Sequence, residues 1–487
     1  MNEKGVMKLV QLLKDVRYKE IIGNAEVEVT GVCADSRILN RGEVFVCYTG
    51  GNVDSHIYAA EAFERGAAAI VCQRRLDLPL TQVIVEDGRA AMAPLSRAFY
   101  GYADKKLSII GVTGTNGKTT TTYMLKSIFD AGGYKTAVIG TLGVAYGDKF
   151  ISPELTTPDP IFLHSVFADM VQCGVKYVFM EVSAHALYYG KVDGLHFAAA
   201  VFTNLTQDHL DFFGDMRTYA QAKKKLFQKD RCDIAIVNSD DAFSAEIIIC
   251  GCKVLSYGLE NPADTFAIDL SESIDGSDFV INLSDELYDI HLNMPAIHNV
   301  YNALAAATCA HALGVNIDTI ARGLAALKGV NGRLEKVAEY NGGRIFVDFA
   351  HTPDGLEKSL SGLRKLCDGK LYCLFGCGGN RDSSKRPLMG EAAAKNSDFL
   401  IVTSDNPRFE DAYDIISQIE PGIQKVGTPY VTISDREMAT EYAINLLQKG
   451  DILLVAGKGG ETYQEIMGIK HSYNDNTIIK KILGSLV

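Results

Sequence analysis

The run Gly111-Val-Thr-Gly-Thr-Asn-Gly117-Lys118-Thr119 follows an apolar stretch and precedes a helical one. A strand that feeds a glycine-rich turn and opens a helix points backbone N–H groups at a phosphate, and the helix N-terminus adds positive potential. Lys118 would reach the terminal phosphates and the Thr119 hydroxyl would ligate Mg2+. The literal pattern GxxxxGK(S/T) is not met, because position 112 is Val and the preceding glycine stands at 111. The bland alternative, a strand–helix turn with an incidental lysine, leaves unexplained why strand, loop, Lys-Thr pair and helix all agree. Acidic and imidazole groups follow at later strand ends: Glu181, Ser183 and His185, then Asp208 and His209. A carboxylate with an imidazole suits a second Mg2+, although a helix N-cap and a surface histidine read equally well from spacing alone. The helix around Tyr219, Lys223, Lys224 and Lys225 reads, from spacing alone, as a solvated basic face. Further on, Asp348 and His351, then Arg381, Lys385 and Arg386, then Asp405, Asn406 and Arg408, then Gly457 to Glu461 end successive strands. Arg381 and Arg408 each offer a planar fork that fits a carboxylate, with a surface salt bridge as the competing reading.

These groups need a scaffold that brings strand ends together. KLSIIGVTG, KTAVIGTL, YVFMEVS, FAAAVFTNL and DIAIVNSDD read as strands with helices between several of them. That alternation predicts a parallel sheet with helices on both faces, whose carboxyl edge carries the ligand. The first hundred residues mix short strands (GEVFVCYTG, AAIVCQ) with a helix over HIYAAEAFERGA. Residues 262–295 alternate polar turns with strands and predict a small antiparallel insert, followed by the helix VYNALAAATCAHALG. A second α/β alternation follows Gly332: RIFVDFA, LYCLFGCGG, FLIVTSDNP, PYVTISD and DILLVAGKG are its strands.

Length fits this division, since 487 residues at roughly 150 per domain give about three domains. With 47% hydrophobic and 22% charged residues, a disordered, collagenous or coiled-coil chain is excluded. A net charge of -12 argues against a protein that coats nucleic acid or an anionic membrane. The opening segment is broken by charges, so neither a signal peptide nor membrane insertion is expected. The 11 cysteines lack a zinc spacing and read as reduced thiols of a cytoplasmic protein.

Together these motifs resemble the Mur ligases, most closely the branch that adds the third residue of the muramoyl peptide. GVTGTNGKTTT is similar to the superfamily's ATP loop, shared with folylpolyglutamate synthases. More specific are DSR at 35–37, TTPDP at 156–160, EVSAHAL at 181–187, TNLTQDHLDFFGDM at 203–216 and HNVYNALAA at 298–306. NGRLE at 331–335, DFAHTPD at 348–354, FGCGGNRDSSKRPLMG at 375–390, SDNPR at 404–408 and GKGGETYQ at 457–464 extend the likeness over almost the whole chain.

The resemblance implies an α/β chain of three domains: 1–101 binding the UDP end of the substrate, 102–331 a P-loop parallel-sheet domain with the antiparallel insert, and 332–487 a Rossmann-like domain that brings in the amino acid. It implies ATP contacts at Gly114, Thr115, Asn116, Gly117, Lys118, Thr119 and Thr120, and around them Asn302, Arg333, Asp348 and His351. Ser36, Thr156, Thr157, Ser183 and Lys191 match muropeptide positions, and Arg381, Asp405, Asn406, Arg408, Gly457 and Glu461 an amino-acid pocket. Glu181 and His209 match Mg2+ positions alongside Thr119, and Lys223 matches a lysine carried as a carbamate (N6-carboxylysine), which overturns the solvated-face reading. Lys118, Lys223, Glu181 and His209 would then carry the catalysis.

The implied reaction adds meso-diaminopimelate to UDP-MurNAc-L-Ala-D-Glu with ATP and Mg2+, through an acyl phosphate, in a cytoplasmic monomer making peptidoglycan precursor. Lysine or another diamino acid, a folylpolyglutamate synthase and a non-catalytic ATP-binding paralogue are the competing readings. Departures from the family pattern are Gly460 for His, Ala184 for Ser, Asn380 for Asp, Lys191 for Arg, and Ser55 inside the usual DGH.

Overall fold

The computed structural model describes residues 5–50, 54–152 and 155–486. The first four residues of the charged opening segment lie outside this range. Apolar strand runs such as SIIGVT, YVFME and FAAAVF are buried along nearly their whole length, as strands covered on both faces must be. The described residues build three main sheets, each with its own core.

The first sheet has five strands in the order Tyr18–Ile22, Thr81–Val85, Ala69–Cys72, Glu43–Val46 and Gly31–Cys33, all parallel except the first. The helix Gly88–Phe99 packs on it, N-capped by Asp87.

The second sheet has eleven strands. Its centre is the loop-bearing strand Ser108–Thr113, flanked in parallel by Tyr177–Glu181 and Phe197–Phe202. Glu181 aligns with Val112 and Phe202 with Thr113, so the three chain exits converge at one edge. Helices Lys118–Ala131 and Ile297–Ala312 cover one face and Pro160–Gln172 the other. The predicted antiparallel segment forms strands Thr265–Ser273, Gly276–Leu283 and Glu286–Leu292. It does not stand apart: Thr265 and Phe266 pair with Tyr257 and Gly258, so it extends the main sheet. An unpredicted hairpin, Gly143–Tyr146 with Lys149–Ile151, closes the opposite edge.

The third sheet runs Glu335–Tyr340, Gly343–Asp348, Ile452–Ala456, Leu371–Phe375, Phe399–Val402 and Tyr430–Thr432, parallel but for the first pair. Each of the four strands read as preceding helices does so, into Pro353–Lys365, Lys385–Asn396, Ala412–Val426 and Arg436–Asn445. The hairpin Tyr463–Ile466 with Ile469–Ser472 and the helix Asp475–Leu486 follow. Among the described residues no helix is long and apolar enough to cross a membrane.

Candidate active site

The carboxyl edges of the second and third sheets face a cavity of about 910 Å³. Its floor is the glycine-rich loop. Gly114, at φ +152°, could carry no side chain, since a Cβ would lie 1.9 Å from Thr203 Oγ1. Gly117, at φ +85°, caps the helix Lys118–Ala131. Lys118 Nζ donates to Gly114 O (2.9 Å) and Thr115 O (2.8 Å), folded onto its own loop.

Lys223 donates to that same Gly114 oxygen at 2.8 Å. It is 1% exposed, so the basic helix Met216–Lys224 does not present a solvated face. Tyr219, Ala220 and Ala222 bury one side of the helix and carry Lys223 inward with them. Burial, with the Lys118 charge beside it, holds the Lys223 amine well below the ordinary lysine range. Lys118 is lowered too, by burial first, against the opposing pull of Glu181 and Asp208.

Across the loop, the Thr119 hydroxyl donates to Glu181 Oε1 (2.9 Å) and accepts from Arg333 Nη2 (2.9 Å). Arg333 also stacks over Phe349, 4.2 Å from its centroid. Thr141 binds both Glu181 oxygens through its N–H (2.9 Å) and hydroxyl (3.1 Å), and its hydroxyl meets that of Thr156 at 3.1 Å. Thr157 ties Glu181 O to Ser183 N. The donors around Thr119 are therefore oxygens, a hard set that fits Mg2+. No group of three or more His, Cys, Asp or Glu among the described residues could hold a metal ion. A cation here needs phosphate and water oxygens to complete its shell.

His209 is not brought to Glu181 by any contact. Its Nε2 faces Asp208 at 3.2 Å, and its ring meets those of His185 and Tyr219 edge-on. Asp208 is the buried hub of this side: His351 Nε2 lies 3.9 Å and Lys385 Nζ 4.0 Å away, both from the third-sheet region. Burial works against the Asp208 carboxylate, yet His351, His209 and Lys385 hold it below the usual range. Burial lowers both histidines. Asp348 spends its oxygens on Leu334 N, Ala350 N and Ser359 Oγ, which fixes the turn that carries His351. Asn302 lies behind Gly117 and accepts from the Thr121 hydroxyl. Asn116 donates to Asp354 Oδ2 (2.8 Å), a second link to the third-sheet region.

The far wall holds the arginines. Arg408, at φ +53°, donates from Nε to Glu465 Oε2 (3.2 Å) and from Nη1 to Gly379 O (2.8 Å). Exposed Arg381 makes one long bond to Asn380 O. Asn406 donates to Glu461 Oε2 at 2.9 Å, and Asp405 abuts Gly457. Asn380 sits at φ +50°, a conformation that Asn tolerates better than most residues.

Among the expected residues, Gly114, Thr157 and Lys223 lie behind the lining side chains, and Ser36 and Lys191 lie away from this cavity. Ser36 is buried and donates to Glu61 Oε2 (2.8 Å). Lys191 pairs with Asp159 (2.8 Å) at a separate cavity of about 70 Å³, where Arg89 sits between the rings of Tyr48 and Tyr189. Thr141 and Lys458 are site residues that the sequence did not single out. Asp208 and Lys385 were named in their turns, Asp208 beside His209 as a Mg2+ candidate, but nothing in their spacing brought them together.

A profile described as Mur ligase middle domain matches residues 112–310, and one described as Mur ligase, glutamate ligase domain, matches residues 332–459. The UDP-N-acetylmuramoyl-L-alanyl-D-glutamate--2,6-diaminopimelate ligase of Caldanaerobacter subterraneus subsp. tengcongensis is 44% identical over 480 residues, covering 98% of this chain and 99% of that protein. A solved structure of a ligase of the same name aligns at 30% identity with a TM-score of 0.70, over 99% of both chains. In fold alone, the ligase MurF of Thermotoga maritima in complex with ADP is also similar, at 19% identity and a TM-score of 0.64 over 93% of this chain and 97% of that one.

Proposed function

The chain belongs to the Mur ligase family, and on that premise we propose that it uses ATP to join meso-diaminopimelate to UDP-MurNAc-L-Ala-D-Glu. One observation carries the reading. A phosphate loop with Lys118 and Glu181, backed by the buried Lys223, and a far wall with Arg408 and Glu461, open on a single cavity large enough for nucleotide and peptide ends together.

Lys118 swings from its loop carbonyls onto the terminal phosphates, where its charge offsets that of the phosphoryl group in transfer. Arg333, already on Thr119, steadies the nucleotide from the third-sheet side. Thr119 and Glu181 would hold Mg2+, which would supply charge neutralisation across the phosphates. Lys223, buried beside Lys118, is an amine whose hold on a proton is weakened by burial, which favours the neutral form that adds CO2; as a carbamate it becomes an anionic ligand in place of that amine. Thr156, Thr157 and Ser183 line the approach of the acceptor carboxylate, which attacks the γ-phosphoryl group. That attack breaks the γ-phosphoryl bond to ADP, which leaves; the resulting acyl phosphate is attacked by the amine of diaminopimelate, and the tetrahedral intermediate loses a proton and collapses to amide and phosphate. Arg408 holds the carboxylate of the amino acid's far end and Glu461 its ammonium. Lys385, His351 and Asp354, reaching across to Asp208 and Asn116, help close the cavity to water. His209 orients Asp208 and stands by for a metal.

The domains divide at 101/102 and 331/332, with Ser36 and Lys191 on the path of the UDP-muramoyl end, in a cytoplasmic monomer. Phosphate release with ATP, Mg2+ and UDP-MurNAc-L-Ala-D-Glu, with meso-diaminopimelate or L-lysine in parallel, tests the reading. Strong preference for diaminopimelate is expected. Preference for lysine would overturn the Arg408 assignment, and silence with both would overturn the reaction.

A further inference from the structure

Lys458 is fully buried, with none of its side chain exposed, and it does not line the cavity. A lysine is almost never buried without partners that repay its lost hydration. Its partners are two side chains of the proposed amino-acid pocket, Asn406 Oδ1 and the ammonium-binding Glu461 Oε2, each at 3.0 Å. The rings of Tyr463 and Tyr473 stand 5.8 and 6.0 Å from the nitrogen.

Asn406 closes a triangle, since its Nδ2 donates to Glu461 Oε2 at 2.9 Å while its Oδ1 also accepts from Glu465 N. The amide orientation is forced, because both Lys458 and Glu465 N can only donate to it. Glu461 Oε2 is thus saturated by two donors, and its other oxygen takes no hydrogen bond from the described residues. Beside this pair, Arg408 is matched by Glu465. The wall therefore presents two compensated charge pairs, a lattice for a ligand end that carries both an ammonium and a carboxylate and no net charge.

We propose that Lys458 is a positioning and specificity-determining residue: by holding Oε2 of Glu461 it aims the other oxygen at the ligand ammonium and keeps the pocket neutral, favouring a zwitterionic amino-acid end over a lone ammonium. The inference rests on the proposed amino-acid pocket. Removing Lys458 leaves Glu461 loosely held and the pocket with one surplus negative charge. That harms a zwitterion and helps a lone cation.

The test is steady-state turnover of the full chain with saturating ATP and UDP-MurNAc-L-Ala-D-Glu, varying meso-diaminopimelate or L-lysine. For Lys458→Met, KM for diaminopimelate rises about tenfold to hundredfold, as expected for loss of a charge-assisted hydrogen bond. KM for ATP stays within about twofold and the preference for diaminopimelate over lysine falls by at least about tenfold. A structural role alone would not shift that preference. The double variant Lys458→Met/Glu461→Gln leaves no unpaired buried charge, so it is the readout if the single variant does not fold. Its KM for diaminopimelate matches that of Glu461→Gln alone. An unchanged preference in a folded Lys458→Met, equal losses for ATP and amino acid, or a double variant much worse than Glu461→Gln would overturn the inference. A wild-type chain silent with diaminopimelate would overturn the pocket itself, and is recognised because it needs no variant.

Discussion

Lys223→Met separates a catalytic lysine from a structural one. The side chain is 1% exposed and makes one hydrogen bond, to Gly114 O at 2.8 Å. Losing that bond costs about 1 kcal/mol. Lys118 bonds the same oxygen at 2.9 Å, so the two nitrogens lie within about 6 Å, and two ammoniums there would repel by about 3 kcal/mol at an effective dielectric near 20. Methionine fills the volume and removes either that repulsion or the work of holding the amine neutral. Stability should therefore change by no more than about 1 kcal/mol, or rise, whereas cutting one partner of a needed buried ion pair costs about 3–5 kcal/mol. Turnover should fall by about three orders of magnitude, roughly 4 kcal/mol of transition-state stabilisation. Urea unfolding and phosphate release on the same preparation measure both. Stripping CO2 should slow the wild type reversibly, and excess bicarbonate should not rescue the variant. A variant with near wild-type turnover, or one whose activity tracks a large loss of stability, would refute the reasoning.

Arg408→Ala and Arg408→Lys should both cut kcat/KM for diaminopimelate about tenfold to hundredfold, because a lysine cannot replace the fork, while KM for ATP stays put; equal losses in both kinetic constants would make Arg408 structural. Asp208→Asn should lower kcat at least about tenfold by releasing His209, His351 and Lys385, with unchanged kcat in steady-state assays counting against the hub. His164, enclosed beside Asp104 Oδ1 at 4.0 Å and with Arg97 on that same carboxylate, is pushed by burial to about 4 from 6.5. The unfolded chain then binds a proton that the folded chain refuses between those values, so stability is lost as pH falls from 6.5 towards 4, by about 3 kcal/mol in full. His164→Leu should flatten that slope in urea titrations across the same window; an unchanged slope would place the acid sensitivity elsewhere.

The parallel strands were legible because each is a short apolar run ending in polar or glycine residues, and both faces of such a strand are buried. What escaped was edge structure, together with the interior strands Thr81–Val85 and Lys253–Gly258. The hairpin Gly143–Tyr146 with Lys149–Ile151 is partly exposed and carries no uniform apolar pattern, and the residues of Glu335–Tyr340 are all half-buried or exposed. The 262–295 segment was legible as antiparallel, but its attachment through Tyr257 and Gly258 rests on two backbone pairs that no residue pattern announces. In the site, Lys118 and Thr119 could be read from a local motif. Lys223 could not: its helix is as basic as a solvated one, and only the packing of Tyr219 and Ala222 decides which lysine turns inward. Lys458 and the contacts of Asp208 with His351 and Lys385 were hidden for the same reason, since sequence gives a charge its place along the chain and not the burial that gives it consequence.

Charge balance ties these positions together. Around the phosphate loop stand the cations Lys118, Arg333 and Lys385, the buried amine of Lys223 and the buried carboxylates Glu181 and Asp208, while burial keeps His209 and His351 towards neutrality. With Lys223 neutral, that named group carries one surplus positive charge within a chain whose net charge is -12. Holding such an excess in an enclosed site is costly, and it suits a polyanion stripped of metal. Converting Lys223 to a carbamate turns a neutral amine into an anion and brings the same group to zero. A neutral site suits a nucleotide whose four negative charges are already matched by divalent cations. The modification therefore does more than add a ligand: it removes the electrostatic reward for binding nucleotide without metal, and it does so at the position where two lysines would otherwise compete for one carbonyl oxygen.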